Sequence, residues 1–342
     1  MSEGSRAGEL NRWLTRYAWL VAGATLLLIA SGGLVTSHNA GLAVPDWPNT
    51  FGYNMFLFPI SKWVGGIFYE HTHRLIASSV GFLTVILAVW LWLSRSRYRV
   101  LGILAVFAVI LQGVLGGLRV TLLKDQIGIF HAGLAQAFLG LLVFIALAHT
   151  RFWRRLADGI GRPARSLRWI AIVTTLAIYG QLILGATMRH QHRDLSITDF
   201  PTAYRQWIPD TSVGALEKIN HARDAIGMSD VTGGQIWLQM THRFGAVLVA
   251  LGVVIFLVKA RRTPELRMLA VCWLVGLVAQ ITLGAWTIWS DKAADIATAH
   301  VAVGAIMLSL GVALSAIAWR LITKPHALDF KSRRLTSGAV PV

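Results

Sequence analysis

The sequence predicts an all-α polytopic membrane protein, with eight transmembrane helices arranged as two tandem, parallel-oriented four-helix bundles. Three observations lead there. Of 342 residues, 55% are hydrophobic and only 14% charged, with a mean hydropathy of +0.58, which describes a chain whose solvent is lipid. Eight apolar runs are each long enough to cross a hydrocarbon core of about 30 Å at about 1.5 Å per residue. The chain also repeats itself: Phe68-Tyr-Glu-His-Thr-His-Arg-Leu-Ile-Ala77 returns as Met240-Thr-His-Arg-Phe-Gly-Ala-Val-Leu-Val249. His73 and His242 are 169 positions apart, as are His131 and His300.

The elements follow in order. A polar, basic tail occupies 1–16, and the first span runs over about 17–36, read as an anchor because the run is too long for a cleaved signal and lacks a small-residue cleavage site. The outer loop from His38 to about Trp63 carries Ala40-Gly-Leu-Ala-Val-Pro-Asp-Trp-Pro48, whose prolines forbid a regular helix. Spans two, three and four are expected over about 67–93, 101–123 and from the turn at Lys124-Asp-Gln126 to about 148. They complete an N-terminal bundle, 17–149. A basic linker over 150–168 separates it from a C-terminal bundle, 169–318, with spans at about 169–188, 236–258, 266–289 and 295–318. Within it lies a long polar outer loop, 189–234, whose Asp199-Phe-Pro201 answers Asp46-Trp-Pro48. A basic tail, 319–342, closes the chain.

Lys and Arg concentrate in the two tails and in every second loop, so the net charge of +16 is a topological signal that places both termini in the cytoplasm and implies no nucleic-acid partner. Four spans per half is an even number, so the two copies share one orientation about an axis along the membrane normal. The only cysteine, Cys272, sits in an apolar span, which excludes an intramolecular disulfide and argues against a thiolate metal site. The tryptophans are expected as interfacial belt anchors, and the glycines at Ser31-Gly-Gly33 and Gly116-Gly117 as sites of close helix packing.

The candidate site is built from the repeated histidines. His73, His131, His242 and His300 lie one to two turns inside the outer ends of spans two, four, six and eight, so helices two and four of each half can aim a pair at a common centre. A zinc site would be short of ligands, whereas haem iron needs two axial imidazoles because the porphyrin supplies the other four donors. Gly133 and Gly304 are expected to make room for a flat ring, and Arg74 and Arg243 to meet its propionates. Glu70 lies three residues before His73, where the second half has Gln239, so one site carries an acid that the other lacks. Interfacial decoration is the expected role for His71. His38, His190, His192 and His221 are expected to be solvated loop residues, and His149 and His326 have no assigned role.

Gly41-Leu-Ala-Val-Pro-Asp-Trp-Pro48, Glu70-His-Thr-His-Arg74, His131, His242 and His300, in that order over nearly the whole chain, resemble the haem A synthase family, in its proteobacterial and mitochondrial branch. The resemblance implies a bacterial inner-membrane enzyme that oxidises the C8 methyl of haem O to a formyl group, through hydroxylated intermediates, giving haem A for cytochrome oxidase. It implies a haem b cofactor on His242 and His300, and substrate haem O at His73 and His131 with Glu70 as the essential acid. Haem O synthase, an electron donor and a second copy of the chain are the implied partners. Some bacterial members carry a cysteine pair in the first outer loop, which this chain lacks. A di-haem b electron-transfer cytochrome and a haem transporter or chaperone remain as alternatives.

Overall fold

The computed structural model describes residues 3–156, 166–191 and 195–322, and every long element in it is a helix. We label them in chain order: α1 Glu3–Ser37, α2 Gly65–Leu93, α3 Arg99–Leu122, α4 Asp125–Ala148, α5 Arg151–Arg155, α6 Ser166–His190, α7 Val213–Asp224, α8 Gly233–Ala260, α9 Pro264–Trp289 and α10 Ala294–Ile322. All but α5 and α7 are long and apolar enough to span a membrane, which makes eight spans. The chain is a multi-pass membrane protein.

Most helices extend two to four residues beyond their apolar runs, because intrahelical hydrogen bonding continues through polar residues that hydropathy does not detect. The ends are set by local chemistry. Thr232 and Gln235 form a reciprocal capping box at the start of α8, Pro264 occupies the first turn of α9, and α3 stops at Leu123, which takes a left-handed backbone at φ 54°. The long outer loop is not a plain connection. It contains α7, and its Ile197, Ala203 and Val231 form a small core with Ile236 and Met240 of α8. In the linker, Thr150 caps the short α5, while 157–165 lie outside the described residues, as do His192 and His326.

Packing runs in two rings. In the first half α1 packs on α2, α2 on α3, α3 on α4 and α4 back on α1. In the second half α6, α8, α9 and α10 repeat the order. Helices α2 and α4 therefore stand diagonally opposite, as do α8 and α10. The halves meet through α1, α4, α6 and α10. Half of the span windows of α4 and α10 is buried, against about a fifth for α2, α6, α8 and α9, so the helices that carry His131 and His300 are the central pair. Polar contacts cross this seam: the Tyr179 hydroxyl donates to Gly133 O at 3.2 Å and Ser37 pairs with Thr298 at 3.2 Å, while Thr175 and Ser315 pair at 3.2 Å between α6 and α10 within the second half. Such contacts let apolar helices approach closely in lipid. Cys272 is exposed on the outer face of α9. Trp273 and Trp153 depart from the belt reading. Both are buried, and Trp273 Nε1 donates to Met307 O at 2.9 Å.

Candidate functional site

Each of the four repeated histidines is seated on a glycine of the neighbouring helix. A Cβ on Gly32 of α1 would lie 3.2 Å from His73 Cε1, and one on Gly116 of α3 would lie 3.4 Å from His131 Cε1. In the second half, Gly185 of α6 faces His242 at 3.7 Å and Gly284 of α9 faces His300 at 3.0 Å. The four Nδ1 atoms are buried and make no hydrogen bond. The rings are nevertheless only half-buried, and their Nε2 atoms are neither sealed nor hydrogen-bonded among the described residues. Four imidazoles thus present the nitrogen that commonly ligates iron, from diagonally opposed helices, with the other ring edge fixed. An imidazole left this way in an apolar bundle carries a desolvation cost that a metal bond offsets. These residues fit a bis-imidazole porphyrin site in each half.

The glycines expected to make room for the porphyrin do something else. Gly133 backs onto Ile183 and Gly304 onto Leu182 and Gln280, so both serve helix packing, whereas Gly32 and Gly116, in the segments expected to serve packing, seat His73 and His131. Period and spacing do not separate these cases, because a glycine that seats a ring and one that admits a neighbouring helix look alike in sequence. Glutamines support the backbone behind two of the rings, with Gln112 Nε2 donating to His131 O at 3.0 Å and Gln181 Nε2 to His242 O at 2.8 Å.

Glu70 is buried and fully engaged: Oε1 pairs with Arg74 at 2.7 Å, and Oε2 accepts from the Val44 amide at 2.9 Å. Arg74 also donates to the carbonyls of Val44, Asp46 and Asn49. In the second half Gln239 accepts from Ile197 N at 2.7 Å and donates to Ile197 O at 3.2 Å, while Arg243 donates to the carbonyls of Asp199, Pro201 and Thr202. The loops themselves are copies. Asp46 accepts from the amides of Phe51 and Gly52, and Asp199 from those of Tyr204 and Arg205. Arg74 and Arg243, expected to meet propionates, direct these groups into loop carbonyls.

His71 is not interfacial decoration. It is fully buried, with Nδ1 3.2 Å from the Thr50 hydroxyl and its ring against Phe58 and Trp63, because the first outer loop folds back over α2. His190 is the last residue of α6 and is half-buried, its ring beside Gly128 of α4. His38 is exposed and stacks on Tyr69 at 3.9 Å, and His221 is exposed on α7. His149 ties the inner ends together, bonding the Ser96 hydroxyl through Nε2 and Ile145 O through Nδ1. Arg119 of α3, not singled out from sequence, lies under the first loop beside Gly41. Its signal was available in the absence of a cation at the repeat-equivalent Thr287.

A duplicated eight-helix membrane bundle with one pair of open imidazoles per half defines the class of protein. Residues 53–312 match the COX15-CtaA family, described as cytochrome oxidase assembly protein, and the chain belongs to that family. It is 29% identical over 273 residues to a haem A synthase of Shouchella clausii, covering 77% of this chain and 81% of the relative. It is 23% identical over 330 residues to a haem A synthase of Shewanella oneidensis (90% and 96%), and 25% identical over 339 residues to one of Rhizorhabdus wittichii (89% and 92%).

Proposed function

We infer that the chain is a haem A synthase, an oxidoreductase that converts the C8 methyl of haem O to a formyl group and so supplies haem A for cytochrome oxidase. Family membership and the haem A synthase relatives support the activity. The observation that carries the site is the set of four histidines with Nδ1 sealed and Nε2 open, two per half.

In this reading His242 and His300 hold haem b, which supplies one-electron redox chemistry when bound. His73 and His131 orient substrate haem O. Glu70 is the acid beside it, held in place by Arg74 at Oε1 and by the Val44 amide at Oε2. The first outer loop is held folded over α2 by those same bonds. Arg243 fixes the second loop in the same manner. The protein resides in the bacterial inner membrane with both termini cytoplasmic. Haem O synthase, an electron-transfer partner and a second copy are its neighbours there.

A histidine pair seated on glycines in each half is what a di-haem electron-transfer cytochrome would also show. The replacement of Glu70 by Gln239 in the second half speaks for unequal sites and hence for chemistry at the first. Expression of the chain in cells supplied with haem O, followed by pigment extraction, tests the reading. Haem A must appear with the wild-type chain and disappear with Glu70→Ala at equal protein level. Unchanged haem O in both would leave a cytochrome or a carrier.

A further inference from the structure

We propose that Arg119 is the residue that anchors a carboxylate of the substrate porphyrin in the first half, and that the second half has no equivalent. The proposal deepens the reading of His73 and His131 as the substrate pair. Arg119 lies in the last turn of α3, one turn beyond Gly116, on which His131 is seated. Its guanidinium runs from the first outer loop to α4: a Cβ on Gly41 would lie 2.7 Å from Nη1, and one on Gly128 would lie 3.1 Å from Nε. A side chain at either place would force the guanidinium, or the His190 ring beside it at Gly128, to shift.

The guanidinium is half-buried, yet it makes no hydrogen bond or salt bridge among the described residues. The other three arginines near the histidines are spent, Arg243 on the carbonyls of Asp199, Pro201 and Thr202. Arg74 has Glu70 and three carbonyls, and Arg189 donates to Thr36, Gly33 and Ser37 of α1. Of the carboxylates whose charge reaches Arg119, Glu70 is already paired and Asp125 is exposed in the first turn of α4. Its own charge reaches both His73 and His131. An unpaired guanidinium held between a loop and a helix suits a planar, two-oxygen anion that forms a forked pair with it. The repeat places Thr287 at this position in the second half, and its hydroxyl is bonded to Leu283 O at 2.8 Å in its own helix. The difference gives the first site an anion contact that the second lacks, which distinguishes a site that must orient a substrate from one that retains a cofactor.

The test titrates the full chain in detergent, stripped of pigment, with ferric protoporphyrin haem and separately with its dimethyl ester, following the low-spin bis-histidine absorbance. The component lost in His73→Ala is the first-half site. In Arg119→Gln that component should bind the free acid at least about tenfold more weakly and the ester as before, since a charge-assisted bond is worth about that factor. The second-half component should be unaltered and reports the fold. Equal weakening for acid and ester, or none for the acid, overturns the proposal. Should Arg119→Gln lose both components, Arg119→Lys decides, because loss of the acid-over-ester preference with the charge retained also overturns it. If His73→Ala removes no component, the substrate-pair reading falls and takes this proposal with it.

Discussion

Glu70 and Arg74, paired at 2.7 Å one helical turn apart, grip the same residue of the first outer loop: Glu70 accepts from the Val44 amide and Arg74 donates to the Val44 carbonyl. In the second half Gln239 alone does both for Ile197. A carboxylate cannot donate, so the first half needs two side chains for a task that one amide completes in the second. The residue that breaks the repeat chemically thus keeps it structurally.

This separates two roles of Glu70. Glu70→Gln copies the second half and should hold the loop, with stability within about 1 kcal/mol of wild type, whereas Glu70→Ala leaves the Val44 amide and Arg74 without their partner and should cost about 1–3 kcal/mol. Haem A yield should fall about a hundredfold or more in both. Thermal unfolding in detergent beside pigment extraction reads the two effects, and a Glu70→Gln chain that still makes haem A would reduce the carboxylate to a loop clamp.

Loss of one axial ligand should empty one half only. His242→Ala and His300→Ala should each deplete the tightly bound haem b of the purified chain, and His73→Ala and His131→Ala should spare it. Haem content per chain, with the bis-histidine absorbance, checks this. Retention of a normal spectrum in both second-half variants would reject the ligand assignment.

The glycine seats predict a graded series. In the second half Gly284→Ala brings a methyl to 3.0 Å of the His300 ring and must shift it, while Gly185→Ala meets His242 at 3.7 Å, an ordinary contact. Haem b retention should therefore fall markedly in the first and little in the second. Equal behaviour would mean that the rings do not depend on these seats.

Acid should loosen the outer loops before the bundle. Burial opposes the charged form of Asp46, but the amides of Gly52 and Phe51 and the charge of Arg74 outweigh it, so its carboxyl lies below the ordinary 3.8. Burial likewise opposes ionisation of Asp199, and the Thr202 hydroxyl with the amides of Arg205 and Tyr204 outweighs it, with the same net direction. A pKa depressed by folding contributes stability above the unfolded value that is lost as pH falls through the folded one. Hydrogen exchange of loop amides 50–52 and 203–205 should accelerate below about pH 4. Asp46→Asn should abolish the acid step in the first loop and leave it in the second.

Much of the architecture was legible in one sequence because lipid imposes a simple rule. Backbone polar groups in hydrocarbon must be satisfied within a helix, so length and apolarity located all eight spans, and the 169-residue offset exposed the duplicated histidines. The loop motifs repeat at 153, as Asp46 and Asp199 show, and the sixteen extra residues accompany α7, whose polar composition concealed it in a loop.

What the sequence determined by itself is local or periodic: the spans, the repeat and the family. The tertiary structure decided which glycine faces which ring, that Gly32 rather than Gly133 lies beside a histidine, that His71 is enclosed, and that Arg74 is occupied while Arg119 has no hydrogen-bond partner among the described residues. These depend on helix rotation and on how the loops fold back. Both are set by contacts between residues far apart in the chain, which composition and spacing do not encode.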